Sequence, residues 1–291
     1  MAFIEPQRMA GSNRCHRRGG KWRRFLCTAV AALLVQACAG PAGRSDRLAL
    51  QLGYERGMLS GEGFQHVVYR KGVPSPGSPL HVYVEGDGTP WIRKNLVSPD
   101  PTPDDPLMLR LMAMDGAPSL YLGRPCYFGL AQTPPCNPSH WTDGRYSEKV
   151  VASMAAALGG YLQRHDVRRL VLFGHSGGGV LAMLLAGRFA QTMMVVTLGA
   201  NLDVRAWAAH HGYSALEGSL NPADGPPLPE RIRQIHYVGA GDERVPPALV
   251  RAAVAGRGHA RVVVVEGLDH RCCWDRYWPV VLRAVRDEME R

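Results

Sequence analysis

Leu170-Val171-Leu172-Phe173-Gly174-His175-Ser176-Gly177-Gly178-Gly179 is the stretch whose reading decides the fold. The apolar run Leu170 to Phe173 reads as a buried central strand. It stops at Gly-His-Ser-Gly-Gly, and an Ala/Leu/Met-rich helix begins at once, Val180 to Phe189. Strand, G-x-S-x-G turn and helix in that order lift a serine hydroxyl above the strand ends on a tight turn. The turn leaves no room for bulky side chains two positions either side of Ser176, which accounts for Gly174 and Gly178. The next helix N-terminus offers free backbone N–H groups where negative charge develops.

Outward from this centre, strands and helices alternate through the second half, which argues a mostly parallel sheet covered on both faces. Phe64 to Arg70 and Leu80 to Val84 read as strands, the second ending in Glu85-Gly86-Asp87-Gly88-Thr89-Pro90-Trp91. Ser98 to Pro106 is a Pro/Asp loop, Leu107 to Met114 a short helix and Ser119 to Leu122 a strand. The long Pro-, Cys- and aromatic-rich connection to Tyr146 follows a strand end, where α/β sheets place their sites. It is expected to form pocket wall. Ser147 to Arg164 has helical spacing of Val150, Val151, Met154, Leu158, Tyr161 and Leu162, with Ser147 as N-cap. Further strands are expected at Met193–Leu198, Ile232–Val238 and Val262–Val265, the last as a buried strand. Helices are expected at Ala248–Ala255 and Trp278–Glu290. Residues 204–230 are too short for a large cap, so a fairly open site is expected.

Acyl transfer through a serine needs a base to take its proton and a carboxylate to orient that base. Three candidates each follow an expected strand in the order Ser176, Asp242, His270. The marks Gly174-His175-Ser176-Gly177-Gly178, Gly241-Asp242 before Val245-Pro246, and Gly267-Leu268-Asp269-His270 together resemble the α/β-hydrolase superfamily over roughly residues 60–291. The resemblance implies Ser176 as nucleophile, His270 as general base then acid, and Asp242 as orienting carboxylate. Asp203, also just past a strand, is the rival acid. The oxyanion hole is expected to combine the backbone N–H of Gly177 with that of Asp87 or Gly88. Many relatives begin the latter loop with His-Gly, whereas this chain has Glu85-Gly86-Asp87-Gly88. A carboxylate in the hole would repel the oxyanion, so Asp87 is expected to turn away, toward Arg93 or Arg124. Trp91, Tyr127 and Trp141 either line a substrate pocket or pack under loops. His81, His210 and His211 match no strong ligand spacing; no metal and no cofactor are expected.

The net charge of +9 suggests nucleic acid, but it is concentrated in the first 37 residues. The remainder has an ordinary surface, and no nucleic-acid role is expected. Arg14, Arg17, Arg18, Lys21, Arg23 and Arg24 precede an uncharged apolar run, Phe25 to Val35, too short to span a bilayer. This is the layout of a secretory signal. Val35-Gln36-Ala37-Cys38 resembles a bacterial lipobox, so residues 1–37 are expected to be removed and Cys38 lipidated. The competing reading is ordinary cleavage after Ala37-Cys38-Ala39. Residues 38–62 then read as a tether and entry segment, and residues 63–291 as the α/β domain. In an oxidising compartment Cys126, Cys136, Cys272 and Cys273 allow three pairings. Cys126–Cys136 closes a short loop and leaves the adjacent Cys272 and Cys273 as a bridge or two thiols.

The expectation is an exported, envelope-bound hydrolase of small-molecule carboxylic esters, facing the periplasm or exterior. Peptidase, amidase or thioesterase chemistry would use the same residues. A surface lipoprotein that keeps the fold only for binding is the rival of a different kind.

Overall fold

The computed structural model describes residues 40–74 and 77–290. The expected signal at 1–37 and Cys38 lie outside the described residues. Residues 40–291 form one compact unit that contains both apolar cores. In chain order its elements begin with α1 (Pro41–Gln51), β1 (Glu55–Ser60), β2 (Gln65–Lys71) and β3 (Leu80–Val84). A small hairpin follows, β4 (Trp91–Arg93) and β5 (Leu96–Val97), then α2 (Leu107–Ala113) and β6 (Ser119–Leu122). Next come α3 (Glu148–Arg164), β7 (Leu170–His175), α4 (Gly177–Ala186), β8 (Thr192–Leu198) and α5 (Val204–His210). The chain ends with β9 (Arg233–Gly239), α6 (Pro247–Val254), β10 (Ala260–Val265) and α7 (Trp274–Met289).

Eight strands pair in the order β1-β2-β6-β3-β7-β8-β9-β10. β2 runs antiparallel to both its neighbours, and the other pairings are parallel. From β3 the chain steps outward to β6, then returns across β3 to β7 and continues in the opposite direction. Ligand sites in open α/β sheets lie at the carboxyl ends of strands where the order reverses in this way. Here that place is the edge of β3 and β7.

β7 is buried along its whole length, and its side chains alternate between two cores. Leu170 and Leu172 enter the layer under α3 and α4, while Val171 and Phe173 face α2 and α7. Tyr83 and Phe173 stack at 4.8 Å, and Trp278 of α7 closes on Phe173 at 5.5 Å. Such aromatic pairs add about 0.5–1.5 kcal/mol each beyond the area they bury. Ser147 caps α3 through Val150 N, as its position in the sequence indicates.

Two expectations are corrected. Residues 40–62 are no tether: α1 packs Ala49 into the core and β1 is the outer strand of the main sheet. β1 shows one buried side chain and otherwise exposed or half-buried ones, so it carries no apolar periodicity to read. Val262 to Val264 are half-buried, because β10 is the other outer strand and not an interior one. The hairpin β4–β5 inside the loop after β3 was not foreseen from the sequence.

Candidate active site

Ser176 sits directly after β7 with φ 52° and ψ −125°, a left-handed conformation that side-chain-bearing residues rarely adopt. The backbone around it is packed too closely for side chains. A Cβ on Gly174 would strike the Gly178 carbonyl, and one on Gly178 would strike the Val84 carbonyl. Ser176 N–H donates to the Leu198 carbonyl at 2.8 Å, tying the turn to the end of β8. The hydroxyl is left with no hydrogen-bond partner among the described residues.

Asp242 follows β9, its side chain wholly buried, and accepts Val245 N–H at 2.7 Å and Arg244 N–H at 3.0 Å. Its carboxylate meets His270 Nδ1 at 2.9 Å and 3.1 Å. A carboxylate can only accept, so Nδ1 carries the proton and Nε2 is the free basic nitrogen. Burial pushes the His270 imidazole below its ordinary value, and the Asp242 hydrogen bond only partly offsets this. The neutral form therefore dominates at neutral pH. Asp203, the rival acid, is elsewhere: it caps α5 through Arg205 N–H at 3.1 Å and Ala206 N–H at 3.0 Å. Asn221 also donates to it at 3.0 Å.

His270 is placed from a second direction. The His175 ring lies 4.9 Å from the His270 ring, centroid to centroid. Its Nε2 donates to the His270 carbonyl at 2.8 Å. His175 Nδ1 faces Glu85 at 3.8 Å, and Glu85 itself accepts Gly86 N–H at 3.1 Å and Met108 N–H at 2.8 Å. The end of β7 and the loops after β3 and β10 are thus brought together beside the serine. Glu85 and His175 were not identified from the sequence; a Glu ending a buried strand was the available signal.

The Asp87 expectation needs amendment. Its carboxylate pairs with Arg124 at 2.6 Å, as one of the two expected partners, and not with Arg93. Arg145 at 2.8 Å and the Tyr146 hydroxyl at 2.7 Å complete the set. It has not swung away from the turn, because a Cβ on Gly177 would collide with the carboxylate and with the Tyr146 hydroxyl. Burial opposes ionisation of Asp87, but Arg145 and Arg124 outweigh it and hold the carboxyl far below the usual carboxylate range. One carboxylate between two guanidiniums leaves a positive excess beside the helix N-terminus. Tyr127 donates to the Asp87 carbonyl at 3.0 Å and fixes the following peptide. Gly88 has φ +64°, and a Cβ there would strike the Pro101 carbonyl. The N–H groups of Asp87, Gly88 and Gly177 have no acceptor among the described residues.

Of the aromatic candidates, Tyr127 and Trp141 are packed under loops, Trp141 donating to the Ser98 carbonyl at 3.1 Å, whereas Trp91 is exposed. His81 pairs with Asp115 at 2.6 Å. No cluster of three metal-ligating side chains occurs among the described residues. Cys126–Cys136 and Cys272–Cys273 are both disulfide-bonded.

Solved structures place this architecture. A lidless α/β serine hydrolase from Xanthomonas campestris superposes with TM-score 0.53 at 12% identity, covering 81% of this chain and 94% of that one. An esterase from Pyrococcus furiosus gives TM-score 0.58 at 10% identity over 82% and 92%. A membrane phospholipase A described as a bacterial virulence factor gives 0.55 at 16% over 92% and 98%. No family model matches the sequence, and no curated protein does. The chain has the α/β-hydrolase fold, with no large cap domain among the described residues.

Proposed function

We propose that the protein is a serine hydrolase that cleaves carboxylic esters through an acyl-Ser176 intermediate. The observation that carries this reading is the buried Asp242 holding His270 by Nδ1, with Nε2 free at the edge where Ser176 stands on its strained turn. Ser176 Oγ attacks the ester carbonyl as His270 Nε2 takes its proton. The resulting oxyanion is held by the N–H of Gly177 and by Asp87 or Gly88. His270 then protonates the departing alcohol, and water, activated by the same nitrogen, releases the acid and restores the serine. The paired guanidiniums around Asp87 remove the objection to a carboxylate near the hole, since the cluster as a whole is cationic. None of these steps calls on a cofactor.

Hydrolysis of p-nitrophenyl esters of graded chain length, alongside an aminoacyl amide, tests bond type and pocket depth together. Wild type should turn over the esters and label with a fluorophosphonate probe, and Ser176→Ala should do neither. Folded wild type that neither labels nor hydrolyses any of them would leave a binding role instead. We further propose that export and lipidation at Cys38 hold the protein at the bacterial envelope; acyl-chain incorporation lost in Cys38→Ala is the measurement.

A further inference from the structure

We infer that the β4–β5 hairpin is a membrane-docking element that seats the candidate site against an anionic lipid surface. Trp91, Ile92 and Leu96 are 42%, 53% and 52% exposed, three large apolar side chains within six residues. The hairpin belongs to a separate two-stranded sheet, so the main sheet does not account for their being held outward. Arg93 and Lys94 at its tip are exposed and form no ion pair among the described residues. This contrasts with the neighbouring loop and helices, where Arg44 pairs with Asp104 and Arg110 with Asp105. An indole and two aliphatic side chains flanking unpaired cations match the interface of an anionic bilayer, where apolar groups enter below the headgroups and cations meet them.

The position of the hairpin supports the same occupant. It springs from the loop that carries Glu85 to Gly88, and its base is closed by Ser98 N–H donating to the Pro90 carbonyl at 2.9 Å. It therefore stands at the rim of the edge that holds Ser176. The described chain starts at this edge too: Arg44 of α1 pairs with Asp104, in the loop whose Pro101 carbonyl accepts Thr89 N–H at 3.0 Å. α1 then runs away from that edge toward β1. A chain held to a bilayer just before α1 would present this rim to it. No helix among the described residues is long and apolar enough to cross a membrane, so the contact proposed is peripheral.

Co-sedimentation of residues 40–291 with vesicles of phosphatidylcholine alone, or with about one-third phosphatidylglycerol, tests this without any lipid on the protein. The expected result is binding that requires the anionic lipid and weakens with salt. The variant Trp91→Ala/Ile92→Ala/Leu96→Ala should bind at least about tenfold more weakly, and Arg93→Glu/Lys94→Glu should lose the preference for anionic vesicles. Both should keep the wild-type melting temperature. Equal binding by wild type and variants, or none by wild type, overturns the proposal. So does a wild-type dimer in sedimentation velocity that the triple variant converts to monomer, because a second copy would then cover the hairpin. Binding is read independently of turnover, so the absence of esterase activity would sink the catalytic reading and leave this one standing.

Discussion

Two carboxylates compete for the orienting role, and the structure gives only one of them a histidine. Asp242→Asn keeps the shape but removes the negative charge and replaces one acceptor oxygen with an NH₂ group that favours the wrong His270 tautomer, so kcat should fall by about 10³–10⁴ with KM little changed. Asp203→Asn should leave kcat within about twofold, costing only part of a helix cap. Reversed effects would move the acid to Asp203. Because burial lowers the His270 value, the acid limb of kcat/KM should lie below the ordinary histidine value of 6.5. At this scale the sequence was most informative where a strand end supplied the frame. Ser176, Asp242 and His270 are each legible because an apolar run stops just before them. Arg145 and Tyr146 were not, because they follow a long irregular connection and reach Asp87 only through tertiary folding.

Among the elements, the buried interior was readable and the periphery was not. β3 and β6 fall where their apolar runs stand. β1 and the hairpin lie at margins, where half-exposed strands have mixed composition and tertiary pairing decides the outcome, whereas β10 is legible as a strand from its valine run and only its burial is not. The connection from β6 to α3 carries the Cys126–Cys136 bridge, closing a loop ten residues apart in sequence. Restraining that loop in the unfolded chain is worth about 2–3 kcal/mol. Cys126→Ala/Cys136→Ala should therefore lower the melting temperature by roughly 5–10 °C in a chain of this size. Cys272 and Cys273 are neighbours and close almost no chain, so the corresponding double variant should shift melting far less. Equal shifts would refute the loop argument.

For the whole molecule, acid stability should be limited by two buried histidines that the proposed chemistry does not use. His66 links β2 to the loop after β6 and to α3, through the Gly123 carbonyl at 2.9 Å and Ser153 Oγ at 2.7 Å. His236 lies inside β9 against Thr197 Oγ1 at 2.9 Å. Burial lowers each to about 4 from 6.5. The unfolded chain binds these protons more readily, so their contribution is full above pH 6.5 and is lost progressively as the pH falls toward 4. The melting temperature should hold near neutrality and decline steadily over that interval. A flat profile down to pH 4.5 would show that neither ring stays neutral in the fold.

The knot of charges around Asp87 also sets where this scaffold is free to diversify. It ties the loops after β3 and β6 and the lead into α3 to one another, so substitutions or insertions there would strand an ion in the interior. The exposed segment around Tyr213 and the β4–β5 tip make no ion pair among the described residues. Natural variants or laboratory libraries that broaden the range of accepted molecules should therefore accumulate their changes in those two places, while Asp87, Arg124 and Arg145 change together or not at all.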